Sequence, residues 1–171
     1  MRIIGGQYGG YKIQGPKTAA TRPISDRAKE SLFNMLGDIA GLSFVDAYAG
    51  SGSVGLEAIS RAAEPVVAVE SGREAVATIQ VNAQHLGVAN QLEVRQLAVE
   101  SWLAADARRF DIVFADPPFQ AVDEVVLLRL AERAEQLFIY KHARRTRPID
   151  IPERELVRSR RYGDSVLSFY R

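Results

Sequence analysis

Short apolar runs alternate with longer segments of helical periodicity along most of the chain, which is typical of an α/β fold with a parallel sheet. Most of the predicted strands are short and rich in Val, Ile, Leu or Phe, as expected of strands that are covered on both faces. They span residues 43–47, 65–70, 92–96, 111–115 and 137–141. The predicted helices between them span residues 54–62, 73–86 and 121–134, and Gly87 caps the second one.

The N-terminal segment breaks this alternation. Residues 1–24 contain five glycines and a strand-like stretch at 11–13, which predicts a small β-hairpin arm. Ser25 or Asp26 then begins a helix that runs to about Leu36.

The C-terminal segment predicts an antiparallel hairpin. Residues 154–161 and 165–170 have the composition of strands, and a turn is expected at 162–165. Together with the five earlier strands they predict a Rossmann-like α/β fold. Its sheet is expected to be seven-stranded and mostly parallel, with an antiparallel C-terminal hairpin and a short N-terminal β-hairpin arm.

Composition limits the size and the chemistry of the protein. The chain has 171 residues, 47% of them apolar, so we expect a single domain over 1–171, with the arm at 1–24 and the Rossmann-like body at 25–171. The absence of cysteine excludes disulfides, thiolate metal ligands and a cysteine nucleophile. The two histidines lack a carboxylate at metal-ligand spacing, so no metal site is expected. No leader peptide or membrane-length apolar run is visible, which predicts a cytoplasmic protein without membrane contact.

Charge is unevenly distributed, although the net charge is only +1. Residues 1–36 carry six Lys or Arg and two acids, residues 37–140 carry seven and fifteen, and residues 141–171 carry nine and four. Two basic ends around an acidic middle suit a polyanionic partner, but they are equally compatible with scattered, solvated arginines.

A glycine-rich turn follows the first predicted strand. Gly50, Gly52 and Gly55, with Glu70 twenty residues beyond Gly50, also match the dinucleotide-binding fingerprint. Asp46 argues against that interpretation, because a strand that runs directly into the glycines would bury this acid at considerable cost. We therefore expect Asp46 to end the strand.

This turn suits S-adenosylmethionine, which has an amino-acid tail and a sulfonium where a dinucleotide has a pyrophosphate. The glycines let the backbone pass close beneath the cofactor. Asp46 can accept hydrogen bonds from its ammonium, and Glu70 can accept from both ribose hydroxyls. The alternatives are a helix or turn cap for Asp46 and a surface acid for Glu70. The predicted cofactor site consists of Asp46, Ala47, Gly50, Ser51, Gly52 and Glu70.

The fourth predicted strand ends in Asp116, Pro117, Pro118 and Phe119, which form the predicted catalytic site. The two prolines stiffen the backbone, remove two N–H donors and leave carbonyls available as acceptors. Asp116 beside them can accept from the exocyclic amine of a base, and Phe119 can stack on the ring. The alternative is a strand end followed by a proline-stiffened turn.

These motifs resemble those of a known family. Asp-Pro-Pro-Phe is similar to the Asn/Asp-Pro-Pro-Tyr/Phe element of methyltransferases that modify adenine N6 or guanine N2. With Met1-Arg2-Ile3-Ile4-Gly5-Gly6, Thr21-Arg22-Pro23 and the segment 44–52, it makes nearly the whole chain resemble the RsmD family. The resemblance implies S-adenosylmethionine as donor and methylation of guanine N2, of the guanine-966 type, in 16S rRNA. The substrate would be the small ribosomal subunit or an assembly intermediate, and we expect the protein to act as a monomer.

The basic segments predict the RNA contacts. The cluster at 141–147 follows the predicted fifth strand at the carboxyl edge of the sheet, so phosphate contact is favoured there over a solvated loop. The predicted RNA-binding residues are Arg22, Arg27, Lys29, Lys141, Arg144, Arg145 and Arg147.

The sequence alone is also compatible with three other functions. A DNA adenine-N6 methyltransferase uses a similar motif, although this short chain leaves little room for a region that reads sequence. A dinucleotide-binding oxidoreductase or regulator would be protected against unfolding by NAD and not by S-adenosylmethionine. A non-catalytic RNA-binding assembly factor would not transfer a methyl group to RNA.

Overall fold

The computed structural model describes residues 1–15, 24–118 and 123–171. Within these ranges the helices are α1 Asp26–Leu36, α2 Ser53–Ser60, α3 Arg73–His85, α4 Val99–Ala105 and α5 Glu124–Arg133. The strands are β1 Phe44–Ala47, β2 Val66–Val69, β3 Leu92–Arg95, β4 Phe110–Ala115, β5 Ala134–Ala143, β6 Leu156–Tyr162 and β7 Ser165–Tyr170. None of the helices in these ranges is long and apolar enough to cross a membrane.

The seven strands form one sheet in the order β3-β2-β1-β4-β5-β7-β6. Strands β1 to β5 are parallel, whereas β7 is antiparallel to both of its neighbours, β5 and β6. This topology confirms the predicted Rossmann-like sheet with its C-terminal hairpin. Because β1 lies between β2 and β4, the carboxyl ends of these three strands border the point where the strand order reverses, and ligands of open α/β sheets bind there.

Both faces of the sheet are buried, which explains the apolar strands. Helices α1, α2 and α3 cover one face, where Phe33 packs in the same cluster as Phe44 of β1. Helices α4 and α5 cover the other face, where Trp102 packs in the same cluster as Val45 of β1. Adjacent β1 residues thus face opposite cores, as the alternation of side chains along a strand requires.

The region around β5 differs from the prediction. Strand β5 begins directly after α5, before the predicted start at 137, and continues past the predicted end at Lys141 through His142 and Ala143. Pairing of His142 with Val166 of β7 extends the strand. Helix α4 is absent from the prediction, because its seven residues are too few to show a clear helical period.

Residues 1–15 pack onto the body and do not project as an arm. Within this segment an antiparallel bridge joins Arg2 and Lys12, and backbone hydrogen bonds from Ile3 to Tyr11 at 2.9 Å and from Ile13 to Met1 at 3.1 Å give the pairing of the predicted hairpin. Ile3 is fully buried in the core that contains α1 and α2. The carboxylate of Glu57 in α2 accepts hydrogen bonds from two backbone N–H groups of the segment, at 2.7 and 2.9 Å.

Candidate cofactor and active site

Acidic side chains lie at the carboxyl ends of three neighbouring strands. Asp46 lies in β1, Glu70 follows β2 and Asp116 follows β4. Ala47, the last residue of β1, pairs with the last residues of both β2 and β4. Glu70 and Asp116 therefore leave the sheet at the same level, one on either side of β1.

Asp46 is buried inside the sheet, with 1% of its surface exposed. The expectation that it ends the strand is wrong, because β1 continues to Ala47. Its Oδ2 accepts a hydrogen bond from the backbone N–H of Gly55 at 2.8 Å, so the carboxylate also caps α2. Burial raises the pKa of Asp46 to about 7, and the carboxylates of Asp116 and Glu70 raise it as well, while the Gly55 N–H opposes the rise.

The turn between β1 and α2 uses glycines for two different purposes. Gly50 and Gly52 have φ angles of +57° and +77°, in the region that favours glycine. A Cβ atom at Gly50 would meet no heavy atom within 4 Å, whereas one at Gly52 would lie 3.1 Å from the side chain of Ile79 in α3. The open side of the turn is therefore above Gly50, and Gly52 permits close packing against α3.

Glu70 connects the end of β2 to this turn. Its Oε2 accepts from the N–H of Gly50 and its Oε1 accepts from the N–H of Gly72, both at 2.8 Å. A carboxylate has about four lone-pair sites, so two backbone bonds leave acceptor capacity for ribose hydroxyls. Glu70 is thus more than the surface acid of the alternative interpretation.

Asn82 supports the turn from α3, which agrees with the structural role that the sequence suggests for it. Its Nδ2 donates to the carbonyl oxygens of Ser51 and Gln14, both at 3.0 Å, and its Oδ1 accepts from the N–H of Gln14 at 2.8 Å. Both Asn82 and Ser51 are buried. The available signal was a polar residue on a helix face that is otherwise apolar.

Asp116 forms an ion pair with Lys141. The Nζ of Lys141 donates to both carboxylate oxygens at 2.7 Å, and the side chains of Asp116 and Lys141 are 19% and 7% exposed, respectively. Burial raises the pKa of the Asp116 carboxyl, and the Lys141 ammonium opposes this rise. Lys141 thus lies in β5 with its ammonium on the candidate catalytic acid, and its contact with RNA stays a prediction.

The prolines direct the chain out of the sheet after Asp116. Pro117 is buried and Pro118 is exposed, so the backbone moves from the core toward solvent over two residues. Their fixed φ angles make this exit stiff. Phe119, the predicted stacking residue, lies outside the described residues.

Lys29, another predicted RNA contact, is fully buried. Its Nζ donates to the carbonyl of Arg2 at 2.6 Å and to the hydroxyl of Ser53 at 3.1 Å, and it lies 3.6 Å from the Glu57 carboxylate. An RNA phosphate cannot reach this ammonium, so the prediction for Lys29 is wrong. Burial lowers the pKa of Lys29, with Glu57 opposing, and the side chain joins the N-terminal segment to α1 and α2.

The remaining predicted RNA-binding residues lie on the surface or outside the described residues. The exposed ones are Arg27, Arg144, Arg145 and Arg147. Arg27 is on α1 and the other three follow β5, so both groups lie near the carboxyl edge of the sheet. Arg22 lies outside the described residues. The described residues contain no group of His, Asp and Glu side chains that could hold a metal ion.

This arrangement fits S-adenosylmethionine. The carboxylate of Glu70 lies beside the open space above Gly50, where it could accept from a pair of ribose hydroxyls, and the buried carboxylate of Asp46 lies at the same turn on the N–H of Gly55. A pyrophosphate at the same place would meet these carboxylates as like charges. Fold and site together define a Rossmann-like methyltransferase, a class whose cofactor is S-adenosylmethionine.

The chain belongs to the RsmD family: the family model described as "Conserved hypothetical protein 95" matches residues 1–171. "Ribosomal RNA small subunit methyltransferase D" of Haemophilus influenzae is 33% identical over 168 residues, which cover 90% of this chain and 83% of that protein. The protein of the same name from Escherichia coli (strain K12) is 40% identical over 121 residues, 70% of this chain and 61% of that protein. A solved structure of a hypothetical protein from Thermus thermophilus has a TM-score of 0.83 and 31% identity, and the match covers 99% of this chain and 98% of that one.

Proposed function

We propose that the protein methylates the exocyclic N2 of a guanine in 16S rRNA, of the guanine-966 type. The observation that carries the proposal is the position of Asp116, whose backbone N–H donates to the carbonyl of Ala47 at 3.3 Å, directly beside the cofactor turn. The names of the relatives support ribosomal RNA of the small subunit as the substrate. The carboxylate and the backbone carbonyls of an Asp-Pro-Pro motif are acceptors that suit the two N–H donors of an exocyclic amine.

Asp46 and Glu70 would hold the cofactor. The ammonium of its amino-acid tail would lie near Asp46, and its ribose hydroxyls near Glu70. When bound, the cofactor supplies an electrophilic methyl group on a sulfonium. The buried Asp46 lacks a cationic hydrogen-bond partner in the described structure, and a bound ammonium would stabilise its ionised form.

Asp116 would orient the amine of the target guanine. The nitrogen lone pair of an aromatic amine is delocalised into the ring, so attack requires the more tetrahedral geometry that well-placed acceptors favour. In this proposal the carboxylate of Asp116 and the carbonyl of Pro117 would be the two acceptors for one base. Each carboxylate oxygen can accept more than one hydrogen bond, so the amine can bind while Lys141 stays in place. Positioning and fixed dipoles would supply much of the rate.

Lys141 influences which group can receive the proton that the amine loses during methyl transfer. The amine becomes acidic as the carbon–nitrogen bond forms, so its proton can leave late, to water or to Asp116. Burial raises the pKa of Asp116, which favours proton uptake, and the ammonium of Lys141 opposes this rise. We infer that Asp116 acts chiefly by orienting the amine, and that either water or Asp116 can receive the proton.

The RNA would approach the carboxyl edge of the sheet. Exposed arginines lie there at Arg27, Arg144, Arg145 and Arg147. The target guanine would turn out of its stack to reach Asp116, as enzymes that modify bases require. Arg22 and Phe119 stay predicted contacts, and the proposal includes a single-domain monomer that acts in the cytoplasm on the small subunit or an assembly intermediate.

The proposal is tested on ribosomal RNA from a strain that lacks the protein. We expect mass spectrometry of the digested RNA to show the loss of one N2-methylguanosine, which returns with the wild-type protein and not with Asp116→Ala. A loss of N6-methyladenine from DNA instead would favour the DNA enzyme. Intact cofactor binding without transfer of a labelled methyl group to small subunits or their assembly intermediates would favour the non-catalytic factor.

A further inference from the structure

A basic cavity of about 390 Å³ lies between α1 and the β6–β7 turn. Arg27 contributes to it from α1, Lys141 from β5 and Arg161 from the end of β6. Asp164 is the one carboxylate among the lining residues that the structure describes, so positive charge exceeds negative charge.

The cavity lies at the same edge of the sheet as the active site. Ala143, the last residue of β5, pairs with Ser165, the first residue of β7, which brings the β6–β7 turn to the carboxyl edge. Along that edge the strand order places the cofactor acids on β2 and β1, Asp116 after β4, Lys141 on β5 and then the cavity. The cavity is therefore on the side of Asp116 opposite to the cofactor acids, where the substrate and not the cofactor would extend.

Lys141 connects the cavity to the chemistry. The side chain that lines the cavity also donates from its Nζ to both oxygens of Asp116 at 2.7 Å. A group bound in the cavity is thus separated from the candidate catalytic carboxylate by one side chain. That is a suitable place for the part of a substrate that adjoins the reacting base.

The two arginines suit a phosphate. A guanidinium presents a planar set of donors that matches phosphate oxygens. Two guanidinium groups on different elements can bind one phosphate from two directions. Both are exposed, and no carboxylate in the described ranges forms an ion pair with Arg27 or Arg161. Their charges are therefore available to an incoming anion.

The walls of the cavity are held together by hydrogen bonds. Tyr162, next to Arg161, is hydrogen-bonded through its hydroxyl to Ser31 of α1. The N–H of Arg144 donates to the carbonyl of Asp164 at 2.7 Å, which joins the loop after β5 to the hairpin turn. These contacts fix α1 and the hairpin relative to each other before any ligand binds, which lowers the entropy cost of binding.

We propose that this cavity binds the RNA phosphate adjoining the target guanine, with Arg27 and Arg161 as its binding residues. The inference rests on the proposed function, because it names the part of the same substrate that lies next to the reacting base. It adds the β6–β7 hairpin, which the sequence motifs do not mark, to the RNA-binding surface.

The test compares Arg27→Gln and Arg161→Gln, singly and together, with Arg158→Gln. Arg158 is an exposed arginine on the same edge strand that does not line the cavity, so it controls for loss of charge. Calorimetry with S-adenosylmethionine and thermal unfolding would verify that each variant folds. The probes are a labelled 16S rRNA fragment for binding at several salt concentrations and small ribosomal subunits for methyl transfer.

We expect the double variant to raise KM for the subunit at least about tenfold with kcat within about twofold, and to lower the salt slope of RNA binding by about one. The KM of Arg161→Lys should lie between those of wild type and Arg161→Gln, because lysine keeps the charge without the planar set of donors.

Cavity variants that behave like Arg158→Gln while wild type methylates the RNA would overturn the inference and leave the proposed function intact. Selective loss of RNA binding in the cavity variants of a protein that methylates no ribosomal RNA would overturn the proposed function and keep the cavity as a phosphate site. Wild type that neither binds nor methylates RNA would overturn both.

Discussion

Asp46, which is buried in β1, and Asp116, which is partly exposed at the end of β4, are carboxylates with different electrostatic surroundings. Asp46 accepts its hydrogen bond from a neutral backbone N–H, that of Gly55, at 2.8 Å. Asp116 accepts on both oxygens from the ammonium of Lys141 at 2.7 Å. Burial raises the pKa of both carboxyls; at Asp116 the hydrogen-bonded ammonium of Lys141 opposes the rise, whereas at Asp46 the ammonium of Lys29 opposes it without a hydrogen bond in the described structure.

The difference follows from what each acid would bind. On the cofactor side, the ligand brings its own cation, so a carboxylate without a charged hydrogen-bond partner is prepared for it. On the substrate side, the amine of the proposed guanine is neutral, so the chain itself supplies the cation that opposes the rise in the pKa of Asp116. The cofactor side should therefore respond to pH and the substrate side to salt and to loss of hydrogen-bond acceptors.

The largest effect is expected from Asp116→Ala. Removing a positioned acceptor for the transition state should slow single-turnover methyl transfer at least about a hundredfold. Affinity for S-adenosylmethionine, measured by calorimetry, should stay nearly unchanged because the cofactor acids lie on other strands. Full activity in this variant would show that the catalytic site has been assigned to the wrong residue.

Asp116→Asn refines the same test. The amide oxygen can still accept from the base amine, but the side chain can no longer take up a proton. Because the proposed role of Asp116 is to orient the amine, we expect the Asn variant to retain much more activity than the Ala variant. Equal inactivity of the two variants in single-turnover assays would instead assign the proton to Asp116. Thermal unfolding is the control, since each change removes the charge partner of Lys141.

The next effect concerns the exposed arginines after β5. Changing Arg144, Arg145 and Arg147 together to Glu should weaken binding of a 16S rRNA fragment more than about tenfold and flatten its salt dependence. Cofactor affinity should not change, since these residues are remote from Asp46 and Glu70 in the strand order. An unchanged salt slope in a fluorescence titration would identify the cluster as a solvated loop.

A smaller effect is expected from Asp46→Asn. The amide oxygen can keep the bond to the Gly55 N–H, so α2 should stay in place. Loss of the negative charge beside the cofactor ammonium should weaken S-adenosylmethionine binding about tenfold, the scale of a charge-assisted hydrogen bond. Unchanged affinity by calorimetry would leave Asp46 with its capping role alone.

Much of the fold could be predicted, because the residue patterns that determine buried strands and turns involve residues that are close together in the sequence. The strand runs, the capping residue Ser25 and the C-terminal turn all depend on near neighbours in sequence. The Asp116–Lys141 pair could not be predicted, since its partners are 25 residues apart and meet only through the pairing of β4 with an extended β5. Lys29 was misassigned because its burial depends on residues 1–15 folding over α1.

The glycine turn illustrates the same limit at the cofactor site. The pattern predicts that Gly52→Val would press on the cofactor and leave the sheet folded. A Cβ at Gly52 instead meets Ile79 at 3.1 Å, so this change would disturb the packing of α3 as well as any ligand. The sequence marks which residues line the turn but not which of them faces open space, because that depends on the helix packed behind it.

The smallest expected effect is the pH dependence of cofactor binding, which isolates Asp46. Burial places its pKa at about 7 in the free protein, and the cofactor ammonium favours the ionised form, so the pKa in the complex is lower. Between these two values binding releases a proton, so affinity must fall as pH falls. We expect about a fivefold loss of S-adenosylmethionine affinity from pH 7 to pH 6 and little gain above pH 7, measured by calorimetry in buffers of different ionisation enthalpy. Asp46→Asn should show no such loss of affinity over the same pH range. A constant affinity of the wild-type protein from pH 7 to pH 6 would mean that cofactor binding does not change the protonation of Asp46.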